Sequence, residues 1–289
     1  MDLKPDREMT AMTNDGPVPV APLMSMFDPI YIGIDEFGQP VYTSVIYRNL
    51  LAGGEPGGGK SGLLNAICGH AAMCLDTSLV LFDGKRVELG PWQPIADEFV
   101  VGGMDHAISV LERLQKVLDN RYEWLAHLID FGSVRRKIVP TDNVRVILTV
   151  IDELALYSAT YGTKLQQERF VVLLRDLVAR GRAAAMPVVV ATQRPSHDII
   201  PTSLRDLFGY RAAFRCTTPN SSNIVLGNGW AEQGYNAQDI SPENQGQAYL
   251  LTEGGTPQKV KVCYLSDDNI NDLAKHAKWI RKPMSGGVA

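Results

Sequence analysis

Two observations predict an α/β fold in which a mostly parallel sheet is covered by helices on both faces. Short, continuous apolar runs recur along the chain, and segments of helical period separate them. A third observation supports both: the apolar runs end in glycines or acids, the punctuation expected at the carboxyl ends of buried strands. With 289 residues, 45% hydrophobic and 21% charged, the chain has ample material for a buried core. That composition excludes disordered, collagen-like and disulfide-scaffold classes.

In chain order, residues 1–28 mix acids, methionines and prolines (Pro5, Pro17, Pro19, Pro22) without a period and read as a flexible acidic arm. A globular region over 29–266 opens with PIYIGIDEFGQPVYTSV, two alternating runs around a turn at Gly38 and Gln39. NLLAGG is a strand ending in glycines, and SGLLNAICGHAAMCL has helical period. SLVLFD, bounded by Asp83 and Gly84, is a second buried strand, and EFVVGG a weaker one. A helix over 105–129 sets Ile108, Leu111, Leu114, Val117 and Leu118 on one stripe, with Asp105 as its cap. RVILTVID is the strongest strand. A helix over 165–185, strands PVVVAT and YRAAFRC, a short helix over 221–226, and strands QAYLL and KVKVCYL complete the core. Residues 267–289 hold a last helix and a tail.

The four cysteines, Cys68, Cys74, Cys216 and Cys263, lack metal or redox spacing and read as small apolar residues of a reducing compartment. The five histidines are scattered, and the four tryptophans read as packing residues. No secretory signal is visible, and the longest apolar stretch, 183–191, is about half the roughly 20 residues that cross a bilayer. The expectation is a cytoplasmic protein whose membrane contact, where it has one, runs through a partner.

GEPGGGKS, formed by Gly54, Glu55, Pro56, Gly57, Gly58, Gly59, Lys60 and Ser61, satisfies GxxxxGK[ST] between an apolar strand and a helix. Glycines are needed there because consecutive backbone N–H groups must turn inward around phosphate oxygens. Lys60 would reach the β- and γ-phosphates of ATP and Ser61 would coordinate Mg²⁺, with the positive end of the helix aimed at the anion. RVILTVIDE then ends a buried strand on Asp152, a metal-shell carboxylate, and Glu153, which would orient the attacking water. That pair favours hydrolysis over transfer to a substrate. Neither an NKxD guanine signature nor an LSGGQ signature occurs. Gln193 leaves the end of PVVVAT where parallel sheets place ligands; it reads either as a γ-phosphate contact or as an ordinary strand-to-loop amide. Arg175, Arg180 and Arg182 read either as surface partners of acids or as a source of an arginine finger for a neighbouring subunit.

Five blocks, GGEPGGGKS, DGKRVELGPW, VIDELA, VARGRAAAMPVVVATQRPS and FRCTTPNSSNIVLG, resemble the FtsK/SpoIIIE family of double-stranded DNA translocases over about residues 29–265. Among its members the chain is most similar to the short Tra proteins of actinobacterial conjugative elements. The resemblance implies a RecA-like P-loop core, a hexameric ring, and ATP-driven movement of duplex DNA. It implies Walker A roles for Lys60 and Ser61, Walker B roles for Asp152 and Glu153, a sensor role for Gln193, and a finger role for Arg182, with Arg180 as the alternative. The membrane segment and winged helix of full-length relatives have no match here.

The net charge of −4 argues against a generally basic DNA-coating protein. It leaves a ring motor open, because residues 1–36 carry seven acids and two bases, and the rest of the chain is close to neutral. Basic residues gather at Arg135, Arg136 and Lys137 and at Lys275, Lys278, Arg281 and Lys282, positions suited to phosphate contacts or to a solvated face. The loop RPSHDIIPTSLRDLFG, with Arg194 and Arg205, is the better candidate for a moving DNA contact. Two rival functions use the same nucleotide chemistry: a secretion or packaging ATPase, and a nucleotide-binding regulatory module without turnover.

Overall fold

A computed structural model describes residues 9–13, 16–20, 24–130, 132 and 135–281. Strands β1 (Met9–Thr13) and β2 (Gly16–Val20) pair antiparallel as a separate two-stranded sheet. The rest of the expected flexible arm up to residue 23 lies outside the described residues. Packing starts ahead of Pro29, since Met26 is fully buried and its N–H donates to Asp76. The boundary at 28/29 therefore falls inside packed chain.

The main sheet has ten strands in the order β4-β3-β12-β11-β10-β5-β9-β8-β6-β7. Its parallel half comprises β5 (Leu50–Gly53), β6 (Thr77–Phe82), β7 (Glu98–Val100), β8 (Val146–Ile151), β9 (Val188–Thr192) and β10 (Tyr210–Phe214). The other half is antiparallel: β11 (Gln247–Leu251), β12 (Gln258–Val262), β3 (Ile30–Asp35) and β4 (Pro40–Thr43). The sheet is thus mixed, with its parallel half where the longest apolar runs lie.

Alternation along the central strands builds two cores. Leu79, Leu81, Leu148, Val150, Val189 and Ala191 point to one face, where α1 (Lys60–Met73) and α6 (Asp267–Ile280) pack. Val80, Phe82, Ile151, Val188 and Val190 point to the other, beneath α2 (Met104–Asp130) and α3 (Lys164–Gly181). Strands buried on both faces have no polar side to show, which is why they read as continuous apolar runs. Two short helices, α4 (Thr202–Arg205) and α5 (Pro219–Leu226), complete the chain's described helical segments beside several single-turn pieces.

Several expectations are corrected. Helix α3 stops at Gly181, four residues early, because the chain doubles back there: Met186 N–H bonds to the Gly181 carbonyl and Ala185 takes a left-handed φ of 51°. Arg281 does not face solvent. Its guanidinium donates to the carbonyls of Ala71, Ala72, Cys74 and Thr77, so it caps the rear of α1. Lys282 lies outside the described residues. Arg205 is buried and paired with Asp206 at 2.8 Å, which leaves Arg194 as the exposed cation of its loop. Trp92 is buried against α1, whereas Trp279 is exposed. Cys68, Cys74 and Cys216 are buried and all four cysteines are free.

Candidate nucleotide site

Parallel pairing in register brings four strand ends to one line. Gly53 at the end of β5 sits beside Thr192 at the end of β9, Ile151 at the end of β8 pairs with Val190, and Phe82 at the end of β6 pairs with Ile151. The residues that follow these ends, Gly54, Gln193, Asp152 and Asp83, therefore share one rim. Strands β9 and β8 lie between β5 and β6, so α1 crosses over two strands and its N-terminus opens onto a switch in strand order, where parallel sheets bind ligands.

The phosphate loop is fixed at both sides. Glu55 N–H bonds to the Arg215 carbonyl at 2.8 Å, the Glu55 carboxylate pairs with the Arg215 guanidinium at 2.6 Å, and Gly246 N–H bonds to the Gly58 carbonyl at 2.9 Å. Gly59, the residue before α1, has φ 105°, and a Cβ there would lie 2.4 Å from the Gly246 backbone. Only glycine fits that position. Lys60 is 6% exposed and donates to the carbonyls of Gly54 (2.7 Å) and Glu55 (2.8 Å). An ammonium has three donors, so one remains for a phosphate oxygen. Burial pulls the Lys60 ammonium below its ordinary value, opposed by the nearby carboxylates of Glu153 and Asp152.

The acidic pair divides into two environments. Glu153 is buried and fully engaged: its Oε1 accepts from the Thr192 hydroxyl (2.7 Å) and the Ala155 N–H (3.1 Å), and its Oε2 accepts from the Gln193 N–H (2.8 Å). Asp152 is its opposite. Its Oδ2 is buried without a hydrogen-bond partner, and its carboxyl is pushed up to about 7, first by desolvation and then by Glu88, Asp83 and Glu153. An orphaned carboxylate oxygen at this rim suits a hard cation. Among the described residues no three His, Cys, Asp or Glu side chains gather as a cation cage. Mg²⁺ takes one or two protein ligands and completes its shell with waters and phosphate oxygens. The residues present, Ser61 and Asp152, fit that pattern.

Two acids at the rim escaped the residue-by-residue reading. Asp83 is fully buried and accepts the N–H groups of Lys85 (3.1 Å) and Leu89 (2.8 Å), so the loop after β6 wraps around its carboxylate and brings Glu88 within electrostatic range of Asp152 and Lys60. The signal was available, because SLVLFD ends on an acid just as VILTVID does.

The finger candidates lie elsewhere. Arg182 follows α3 at the amino ends of the strands, donating to the Tyr47 carbonyl (2.6 Å) and to both oxygens of Glu253 (3.2 Å each). Arg180 lies on the α2–α3 face, bonded to Asp176 (3.1 Å) and Asp119 (2.6 Å) and stacked on Tyr122. The structure does not bring either to the phosphate loop of its own chain.

A glycine cradle at a helix N-terminus, beside an orphaned aspartate and a clamped glutamate on a parallel sheet, defines a P-loop nucleotide-binding protein. The sequence model of the FtsK/SpoIIIE family matches residues 11–229, and the chain belongs to that family. It is 27% identical over 243 residues to the DNA translocase FtsK of Chlorobaculum tepidum, covering 78% of this chain and 29% of the relative. It is 26% identical over 302 residues to the DNA translocase FtsK of Corynebacterium efficiens, covering 96% of this chain and 30% of the relative. The chain thus spans under a third of the length of these relatives. In fold it is similar to the pCW3 conjugation coupling protein TcpA, solved in its monomer form with ATPγS, with a TM-score of 0.72 at 22% identity, covering 87% of this chain and 70% of that one. The cytoplasmic domain of the Thermomonospora curvata type VII secretion ATPase EccC has a TM-score of 0.65 at 20% identity, covering 88% of this chain and 31% of that one. No described helix is long and apolar enough to cross a membrane.

Proposed function

We propose that the chain is an ATP-hydrolysing motor that moves double-stranded DNA, acting in the cytoplasm as a homo-oligomeric ring, hexameric by the family resemblance, during conjugative transfer. The observation that carries the hydrolytic reading is the clamped carboxylate of Glu153. Held by Thr192 and by the Gln193 N–H, it is aimed and rigid, as a group that orients an attacking water must be. In this reading the loop from Gly54 to Gly59 cradles the phosphates with its N–H groups and Lys60 neutralises them. Ser61 and Asp152 hold Mg²⁺, which offsets charge on the phosphates when bound. Because Glu153 accepts from the N–H of Gln193, the residue just before the loop RPSHDIIPTSLRDLFG, a change at the phosphate is passed to Arg194, the exposed cation of that loop. By the family resemblance Arg182 reaches the nucleotide of the adjacent subunit, with Arg180 as the alternative; each is paired within its own chain, Arg182 with Glu253 and Arg180 with Asp119 and Asp176.

Family membership and the named DNA translocases among its relatives support DNA as the cargo, and the likeness to TcpA and to short Tra proteins supports conjugation. A partner supplies the membrane anchor. The test is the ATPase rate with and without linear duplex DNA over a salt series, with Lys60→Ala as control. Duplex DNA is expected to raise the rate several-fold, less at high salt, and Lys60→Ala to abolish it. A wild-type rate indifferent to DNA overturns the DNA reading in favour of a protein-moving ATPase, and no turnover under any condition favours a regulatory module.

A further inference from the structure

The second position of the phosphate loop carries an acid, Glu55. The pattern GxxxxGK[ST] leaves that position free, and a carboxylate there opposes the polyphosphate that the loop cradles. Glu55 is nevertheless held at every polar group it has. Its N–H bonds to the Arg215 carbonyl (2.8 Å), its carbonyl accepts from Lys60 (2.8 Å) and from the Gly58 N–H (3.2 Å), and its carboxylate lies against the Arg215 guanidinium.

Strand register accounts for this meeting. Ala213 on β10 pairs in parallel with Gly53 on β5, so two residues further along Arg215 and Glu55 stand side by side beyond the strand ends. The segments touch there: a Cβ on Gly54 would lie 2.8 Å from Phe214 Cβ and 2.9 Å from the Arg215 carbonyl oxygen. Backbone contact thus keeps Glu55 in the wall of the loop whatever its side chain finds. Glu55 Oε1 is buried and makes no well-aligned hydrogen bond; it has the ion pair with Arg215 Nη1 at 2.6 Å instead. Among the described residues Arg215 is the one cation paired with it. Lys60 does not take that part, because its ammonium sits on the carbonyls of Gly54 and Glu55 and the carboxylates that act on it are Glu153, Asp152 and Glu88. In the sheet order β10 lies on one side of β5, and β9, β8 and β6 lie on the other, so the loop has two flanks whose charges are balanced separately.

We propose that Arg215 is a positioning residue for the nucleotide and acts through Glu55. It cancels the carboxylate in the wall of the phosphate loop, so that affinity for a triphosphate is set by the pair and not by either residue alone. The proposal rests on the reading of this loop as the ATP site and adds a charge balance on its β10 flank. With Arg215 removed, the acid stays in place and its charge meets the incoming polyphosphate uncompensated. With both charges removed, the wall is as neutral as it is with both present.

A double-mutant cycle on the full chain tests this, read as ATPγS affinity by titration and as the thermal midpoint without nucleotide. Lys60→Ala is the control and should lose binding. Arg215→Ala should weaken ATPγS binding about tenfold at low salt, by less as ionic strength rises, and Arg215→Lys, which keeps the charge, should recover most of the loss. Glu55→Gln should bind at least as tightly as wild type. The combination Glu55→Gln/Arg215→Ala should return to within about twofold of wild type, although both ion-pair partners are gone. A role confined to folding gives the opposite pattern: the double variant binds as weakly as Arg215→Ala or more weakly, its thermal midpoint falls in step, and the proposal is overturned. Weaker binding by Glu55→Gln alone overturns it as well. If Arg215→Ala binds ATPγS like wild type, the proposal falls while the nucleotide reading stands. If wild type itself does not bind ATPγS, the nucleotide reading falls and the proposal with it.

Discussion

The two ends of one sheet bind charge in opposite ways. At the carboxyl ends, the phosphate site is made of main-chain N–H groups, one buried lysine and buried carboxylates, all within a few residues of a strand terminus. At the amino ends, a cavity is made of long, partly exposed cationic side chains gathered from Arg48, from 135–137 and from Arg182. The first is rigid because burial and hydrogen bonds leave it one arrangement. The second is adaptable, with ion pairs that exchange partners at little cost. Rigidity of the first kind suits the positioning of a reactant, and adaptability of the second suits the exchange of ionic partners.

That contrast breaks or sharpens under substitution. On the proposed function Glu153→Gln has the largest effect, lowering kcat about 10²- to 10³-fold while nucleotide affinity holds, because the substitution removes the proposed water-activating carboxylate alone. Equal losses in affinity and kcat, measured by nucleotide titration beside steady-state rates, would show instead that Glu153 holds the loop together. The next effect is set by Asp152, whose carboxyl titrates near 7. Its value is raised on folding, so the folded chain binds the proton more tightly than the unfolded one. This contribution to stability is full below about pH 4 and is lost as pH rises to about 7. On the proposed function Mg²⁺ displaces the same proton, and the expected outcome is a Mg²⁺-dependent nucleotide affinity that rises about tenfold per pH unit below 7 and levels off above it. Asp152→Asn should flatten that profile; a wild-type profile already flat between pH 5 and 7 would place the cation elsewhere. Smallest is Thr192→Val, which removes one donor to Glu153 and leaves the Gln193 N–H in place. A kcat reduction of about three- to tenfold is expected, with thermal stability changed by about 1 kcal/mol or less. A null effect on kcat would assign the positioning of Glu153 to the backbone alone.

Legibility in the sequence follows the same divide. The phosphate loop, Asp152 and Glu153 were readable because each is adjacent in sequence to the apolar strand that positions it, and the continuous apolar runs SLVLF and VILTVI, set between helical segments, carried the two-faced sheet. The antiparallel half of the sheet was not readable as such, since β11, β12, β3 and β4 show only that they are strands, and pairing direction is decided by contacts between distant segments. Arg281 and Arg205 read as exposed cations because composition cannot register that a guanidinium finds carbonyls or an aspartate inside the fold. The cavity at Arg182 was out of reach for the same reason: Tyr47, Lys137 and Arg182 are far apart in the chain and meet only in the folded protein.

Arg281 sets the limits of any fragment that could carry the nucleotide site. Helix α1 presents its positive end to the phosphate loop, and Arg281 lays a cation on the carbonyls at its negative end, so one helix is anchored from both sides by residues more than two hundred positions apart. A cut at residue 266 would remove the Arg281 guanidinium from the α1 carbonyls of Ala71 and Ala72 and from the Cys74 carbonyl just beyond the helix, and uncover the apolar face now held by Ile270, Ala274 and Ala277. The smallest autonomous piece of this protein that keeps a working phosphate loop therefore extends through Arg281, and the final helix is its back wall.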